Sequence, residues 1–243
     1  LVALMASVAQ ALTMELAGTY SAGIFDESAA EIVAYDPDSK RIFVVNAHAG
    51  LVDVLDASNI ERPRKIKSID LSTFGKGVNS VAVKNGLVAA AVEAKPKQAP
   101  GKLVILDTNG KYLADFETGA LPDMVAFTPN GQFVLVACEG EPNDAYDNDP
   151  EGSVLVVDLR QGLDRAVGRL AHFRDFSKAE LQAKGVRISG PKASAAQDLE
   201  PEYIAVAPDS KTAYVSLQEN NAVAVVDVEA GKIKDILPLG LKD

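Results

Sequence analysis

A repeat constrains this chain more than any other feature. Four segments open with a short β-branched strand followed by a turn: EIVAYDPDS (Glu31 to Ser39), NSVAVKNG (Asn79 to Gly86), DMVAFTPNG (Asp123 to Gly131) and EYIAVAPDS (Glu202 to Ser210). A second apolar strand follows each turn: RIFVVNA, LVAAAVEA, FVLVACEG and AYVSLQEN. A third strand then ends in aspartate, at Asp56, Asp107, Asp158 and Asp227, with spacings of 51, 51 and 69 residues. Self-similarity at this period marks a repeat architecture and takes precedence over local readings.

The chemistry agrees in all four units. Runs such as FVLVA and VAVVD are Val-rich and too short for helices, so they read as strands buried on both faces. Pro-Asp-Ser and Pro-Asn-Gly supply turns, with proline presetting φ and Asn, Asp or Gly tolerating positive φ. Polar turns after the aspartates lead to KIKSIDL, KYLADFE and KIKDILPL, whose lysines suit exposed sheet edges. Four antiparallel strands per unit describe a propeller blade, which needs neighbours to bury both faces. The expectation is an all-β chain with four blades, at about 30–75, 76–119, 120–176 and 193–240 within a propeller segment 12–243. An insertion at 177–200 contains SKAELQAKG, read as a short surface helix with a Ser N-cap and terminal Gly, and the remainder is read as loop.

Charge and composition narrow the function. With 34 acidic against 24 basic residues the net charge is −10, which repels nucleic acid and anionic lipid in the absence of a basic patch. One cysteine, Cys138, excludes an internal disulfide, and two separated histidines, His48 and His172, offer no zinc cluster. Residues 1–11, LVALMASVAQA, read as the back half of a secretory signal ending in A-x-A, or alternatively as a packed N-terminal strand or helix. The stretch falls short of the roughly 20 apolar residues of a membrane span. No G-x-S-x-G elbow, P-loop or Rossmann fingerprint is present.

Several strings are more particular than the repeat: GTYSAGIFDESAAEIVAYDP, GVNSVAV, GALPDMVAFTPNG, EGEPND with DPEGSV, and QDLEPEYIAV followed by LQENNAVAVVD. Together, from about Leu16 to Asp243, they resemble the bacterial choice-of-anchor I domain family. The resemblance implies an exported propeller of about seven blades, secreted, periplasmic or on the cell surface, of which these four are the N-terminal part. Some members are described as atypical alkaline phosphatases, others as cell-surface glycoproteins. Where the family carries Asn in an N-E-G-E-P string, this chain has Cys138.

Three constellations could carry chemistry. Blade alignment places Glu31, Asn79, Asp123 and Glu202 at one position, the entry to each first strand. First strands line a propeller's channel, so these groups would form an acidic ring able to hold a hard cation, or would simply be solvated. The loop EGEPNDAYDNDPEGS carries Glu139, Glu141, Asp144, Asp147, Asp149 and Glu151, enough carboxylate for calcium without matching an EF-hand; its plain alternative is a solvated acidic loop. Glu200, Glu202 and Glu219 could act as paired carboxylates if they lie close together. Cys138, inside an apolar strand, reads as a small buried hydrophobe. Two functions follow: a metal-dependent phosphoesterase using calcium or a similar divalent cation on a small phosphate ester, or a non-enzymatic surface or adhesion module with structural calcium and a cell-surface partner.

Overall fold

A computed structural model describes residues 13–190 and 192–241, and the stretch read as a signal remnant lies outside them. Among the described residues, sixteen strands pair strictly in chain order into four antiparallel four-stranded sheets. Sheet one holds β1 (Val33–Asp36), β2 (Arg41–Asn46), β3 (Leu51–Asp56) and β4 (Arg64–Asp70). Sheet two holds β5 (Gly77–Lys84), β6 (Leu87–Glu93), β7 (Pro100–Asp107) and β8 (Tyr112–Ala120). Sheet three holds β9 (Pro122–Phe127), β10 (Phe133–Cys138), β11 (Ser153–Asp158) and β12 (Val167–His172). Sheet four holds β13 (Pro201–Val206), β14 (Thr212–Leu217), β15 (Ala222–Asp227) and β16 (Lys232–Pro238). The four antiparallel sheets expected from the repeat are therefore the architecture observed.

The repeat's aspartates now have a reason. Each ends a third strand and accepts a hydrogen bond from the turn it begins: Asp56 from Ser58 N at 2.9 Å, Asp107 from Lys111 N at 2.8 Å, Asp158 from Arg160 N at 3.0 Å and Asp227 from Ala230 N at 3.0 Å. A short carboxylate thereby satisfies turn amides that the ladder leaves unpaired. At the first hairpins, positive φ falls on Asn85 and Gly86 in sheet two, on Gly131 in sheet three and on Ser210 in sheet four.

First strands pack in series, β1 on β5, β5 on β9 and β9 on β13. Among the described residues β13 makes no comparable contact with β1, so the four sheets form an open arc. The core consists of three layers between successive sheets. In β6, Val88, Ala90 and Val92 face sheet one while Ala89 and Ala91 face sheet three. In β10, Val134, Val136 and Cys138 face sheet two while Phe133, Leu135 and Ala137 face sheet four. Alternating side chains thus enter two different layers, which is why these strands are apolar throughout.

The end sheets differ. In β14, Ala213, Val215 and Leu217 are fully buried against sheet three, but Tyr214 on the other face is 45% exposed. On the free side of sheet one, buried Asp53 pairs with Lys65 at 2.8 Å and accepts from Ser68 and Asn46. The register aligns Asp53 with Val104, Leu155 and Ala224 of the following sheets, all core residues.

The insertion contains the expected helix, α1 (Lys178–Lys184), with Ser177 accepting from Glu180 N and Gly185 closing it at φ 96°. The remainder is not all loop. A second short helix, α2 (Ala195–Asp198), follows Ser194, whose hydroxyl accepts from Gln197 N while the Gln197 side chain accepts from Ser194 N. This reciprocal capping box satisfies two amides of a helix too short to be stable alone. One turn of 3-10 helix, Leu163–Arg165, lies between β11 and β12.

Candidate functional site

The site begins where β10 ends. Glu139 N donates to Leu121 O at 3.0 Å and Gly140 N to Ala120 O at 3.2 Å, so the chain stays bound to the β8–β9 link before turning outward. Gly140 has φ 74°, and a Cβ there would strike the Glu151 backbone. At the loop's other end a Cβ on Gly152 would collide with Leu199 O and Pro201. Both necks require glycine because backbone meets backbone there. This close approach draws the acidic loop of sheet three onto the entry of sheet four.

A cluster of carboxylates results, from β9 (Asp123), the loop (Glu139, Glu141, Asp149), the entry to β13 (Glu200, Glu202), the β14–β15 turn (Glu219) and the end of α2 (Asp198). Burial, then Asp123, Glu141, Glu202 and Glu200, pushes the Glu139 carboxyl up to about 8. Burial, then Glu219, Glu141, Asp198 and Asp149, pushes Glu200 up to about 7. Asp123 is raised by burial and Glu141, and Glu202 by burial, Glu219, Asp123 and Glu141. Burial and Asp198 raise Asp149, whose Oδ1 is buried with no hydrogen-bond partner. Partly desolvated carboxylates facing one another resist ionisation together.

Beside them opens a cavity of about 1250 Å³, walled by the acidic loop on one side and by the insertion and the β14–β15 turn on the other. Its lining includes Glu141, Asp144, Asp147, Asp149, Asp198, Glu200 and Glu219 against two ammonium groups, Lys97 and Lys192. Lys97 is paired with Glu141, and that hydrogen bond raises its own pKa. The two lips are tied where Gln197 Nε2 donates to Asp149 O at 2.8 Å.

The candidate residues divide accordingly. Asp123 and Glu202 of the strand-entry set face each other electrostatically, but Asn79 donates to Pro122 O at 3.0 Å and so fastens sheet two to sheet three. Glu31 is exposed at the far end of the arc, with its backbone N bound to Val45 O. Within the loop, Asn143 Nδ2 donates to Asp147 Oδ1 at 2.7 Å, and Asn143 Oδ1 accepts from Asp147 N and Asn148 N. Asp144 is exposed, and Glu151 is drawn aside by Arg174, whose Nε lies 2.6 Å from its Oε2. Glu141, Glu200 and Glu219 line the cavity, and Glu139 lies within the carboxylate cluster beside it. Lys97, Asp198 and Gln197 were not singled out by the sequence, although Asp198 and Gln197 lie within the string QDLEPEY.

A donor set of carboxylate oxygens suits a hard cation. The spacing does not match a resident metal: among the described residues no three His, Cys, Asp or Glu side chains are arranged to hold one. A phosphate ester, itself anionic, meets a wall of like charge. Cys138 is fully buried and its thiol is pushed up to about 12 by burial, so it offers no nucleophile. Among the described residues no helix is long and apolar enough to cross a membrane.

The sequence pattern of the choice-of-anchor I domain matches residues 31–243. No curated protein matches the chain. Among solved structures, the chain is similar to the β-propeller domain of Cps50 (Swd1) from Myceliophteria thermophila, at 13% identity and a TM-score of 0.56, covering 88% of this chain and 56% of that one. It is also similar to a functionally unknown protein from Desulfotomaculum acetoxidans, at 11% identity and a TM-score of 0.55, covering 86% and 56%. A chain of a nidogen/laminin complex matches at 13% identity and a TM-score of 0.52, covering 88% and 65%. At these identities the likeness is one of fold, and this chain spans less than two thirds of each of those structures.

Proposed function

Because the chain belongs to the choice-of-anchor I domain family, and its sheets are those of a propeller, we propose that it is a propeller-domain binding protein whose acidic mouth takes up cations. A divalent, oxygen-seeking ion such as calcium is the first candidate. The observation that carries this reading is the crowd of mutually repelling carboxylates, Asp123, Glu139, Glu200 and Glu202, beside an acidic cavity whose lining has seven carboxylates against two lysines, one of them paired with Glu141. Asp123, Glu139, Glu200 and Glu202 would supply the oxygens to such an ion, whose positive charge would offset their mutual repulsion. Hydrolysis of a phosphate ester is the weaker reading, since the lining attracts such a ligand only after a cation has reversed its charge.

The same reading takes the four sheets as one arc of a larger ring of about seven blades on an exported or surface-displayed protein. Its support is the free face of sheet four, where Tyr214 and Val225 occupy the positions that Leu135 and Val156 bury in sheet three.

Calorimetric titration with calcium, after stripping with chelator, tests the function. Heat and a raised melting temperature are expected, both reduced in the Glu200→Gln, Glu202→Gln double variant. Absence of both in the unaltered protein refutes cation uptake. Turnover of a chromogenic phosphate ester that chelator abolishes would promote the hydrolytic reading.

A further inference from the structure

We propose that Asn220 is a positioning residue of the mouth, a buried amide that draws both ends of the segment 187–200 onto sheet four and so fixes the insertion as the second wall; the inference rests on the reading of that mouth as the binding site. Asn220 lies in the β14–β15 turn and is 1% exposed. Its Nδ2 donates to Arg187 O at 2.9 Å, to Asp198 O at 2.7 Å and to Asp198 Oδ2 at 3.1 Å, while its Oδ1 accepts from Glu200 N at 3.3 Å. Its backbone carbonyl accepts from Arg187 N at 2.9 Å. Both ends of the segment 187–200 therefore converge on one side chain. Asp198, fixed by that amide, accepts in turn from Ser189 N and Gly190 N, closing the segment on itself.

The repeat shows that the hairpin does not need this residue. In sheet one the corresponding β2–β3 turn has Ala49 at the same place, with Ala49 N donating to Asn46 O at 3.2 Å and Gly50 N to Ala47 O at 3.2 Å. In sheet four Asn220 N donates to Leu217 O at 3.2 Å and Asn221 N to Gln218 O at 3.1 Å. Both turns carry the same pair of backbone hydrogen bonds, and the one in sheet one carries them with alanine at the place of Asn220. What distinguishes sheet four is that the Asn220 side chain is spent on the insertion that precedes its first strand. The buried amide thereby sets where Asp198 and Glu200 stand relative to Asp149 across the cavity.

Asn220→Asp is the decisive substitution. It keeps the shape and the acceptor for Glu200 N, removes both donor hydrogens and sets a second carboxylate against Asp198. Hydrogen exchange followed by mass spectrometry, in chelator, is expected to show amides of residues 187–198 exchanging at least tenfold faster while the four sheets keep their protection. Calcium affinity is expected to fall at least tenfold. The double variant Asn220→Asp, Asp198→Asn restores a side-chain donor and acceptor with reversed polarity, and is expected to recover part of both losses. Unchanged exchange of residues 187–198 in Asn220→Asp and in Asn220→Ala overturns the proposal. Faster exchange with calcium affinity intact also overturns it, because the amide would then be structural and nothing more. If the unaltered protein takes up no calcium, the functional reading fails, and the exchange measurement alone decides whether Asn220 holds the wall.

Discussion

Replacing Glu139 by glutamine should make the protein more stable at alkaline pH and change little at acidic pH. The Glu139 carboxyl is held at about 8 in the folded protein, against an ordinary 4.5, first by burial and then by Asp123, Glu141, Glu202 and Glu200. Below the unfolded value both states carry the proton and folding pays nothing for it. As pH rises the unfolded chain releases the proton while the folded protein retains it, so stability declines until the folded group also ionises near 8. The gap corresponds to about 5 kcal/mol for a carboxyl sealed from water. This one is partly solvated, and screening reduces the expected loss to about 2 kcal/mol. For a chain of this size that is about 4–8 °C in melting temperature. Glutamine has nearly the same shape and cannot ionise. Melting curves of both proteins in chelator, from about pH 5 to about pH 8.5, should therefore diverge by that amount as pH rises. Parallel curves would show that Glu139 is not desolvated and crowded as described.

Two further outcomes test the fold. Leu135→Ala, at a fully buried position between sheets three and four, should cost about 2–5 kcal/mol in chemical denaturation, whereas Tyr214→Ser at the equivalent position of sheet four should cost less than about 1 kcal/mol. Cys138, fully buried with its thiol raised to about 12, should resist iodoacetamide in native buffer and label at once in denaturant.

The sheets were legible because each is local: strand, turn, strand and terminal aspartate recur in one unbroken stretch, and pairing never leaves chain order. α1 was legible for the same reason, from Ser177 and Gly185. α2 was missed although its signal, Ser194 followed three residues later by Gln197, is a capping box in the letters; two alanines gave too short a run to read as a helix. The acidic loop was visible as a run of carboxylates, but composition could not say that Asn143 would bind Asp147 or that Arg174 would claim Glu151. The strand-entry alignment named Asp123 and Glu202 together, yet an open arc leaves Glu31 at its other end. Lys97 had no local signal at all, because its partner Glu141 is a long-range neighbour. The alternation in β14, TAYVSL against the continuous FVLVAC of β10, is a sequence mark of a sheet with a free face, as is Asp53 where the later sheets have Val104, Leu155 and Ala224.

Strand pairing in strict chain order also dictates a schedule of assembly. As the polypeptide leaves the ribosome, residues 33–70 hold every strand of sheet one, and its apolar face is covered once sheet two has emerged to pack on it. The segment 187–200 is the exception. It precedes sheet four in the chain but is gripped by Asn220, which emerges after it. A nascent chain that has finished three sheets is therefore already packed and still has no mouth. The second wall of the cavity is thus set only when the β14–β15 hairpin closes, after the three sheets that carry the first wall.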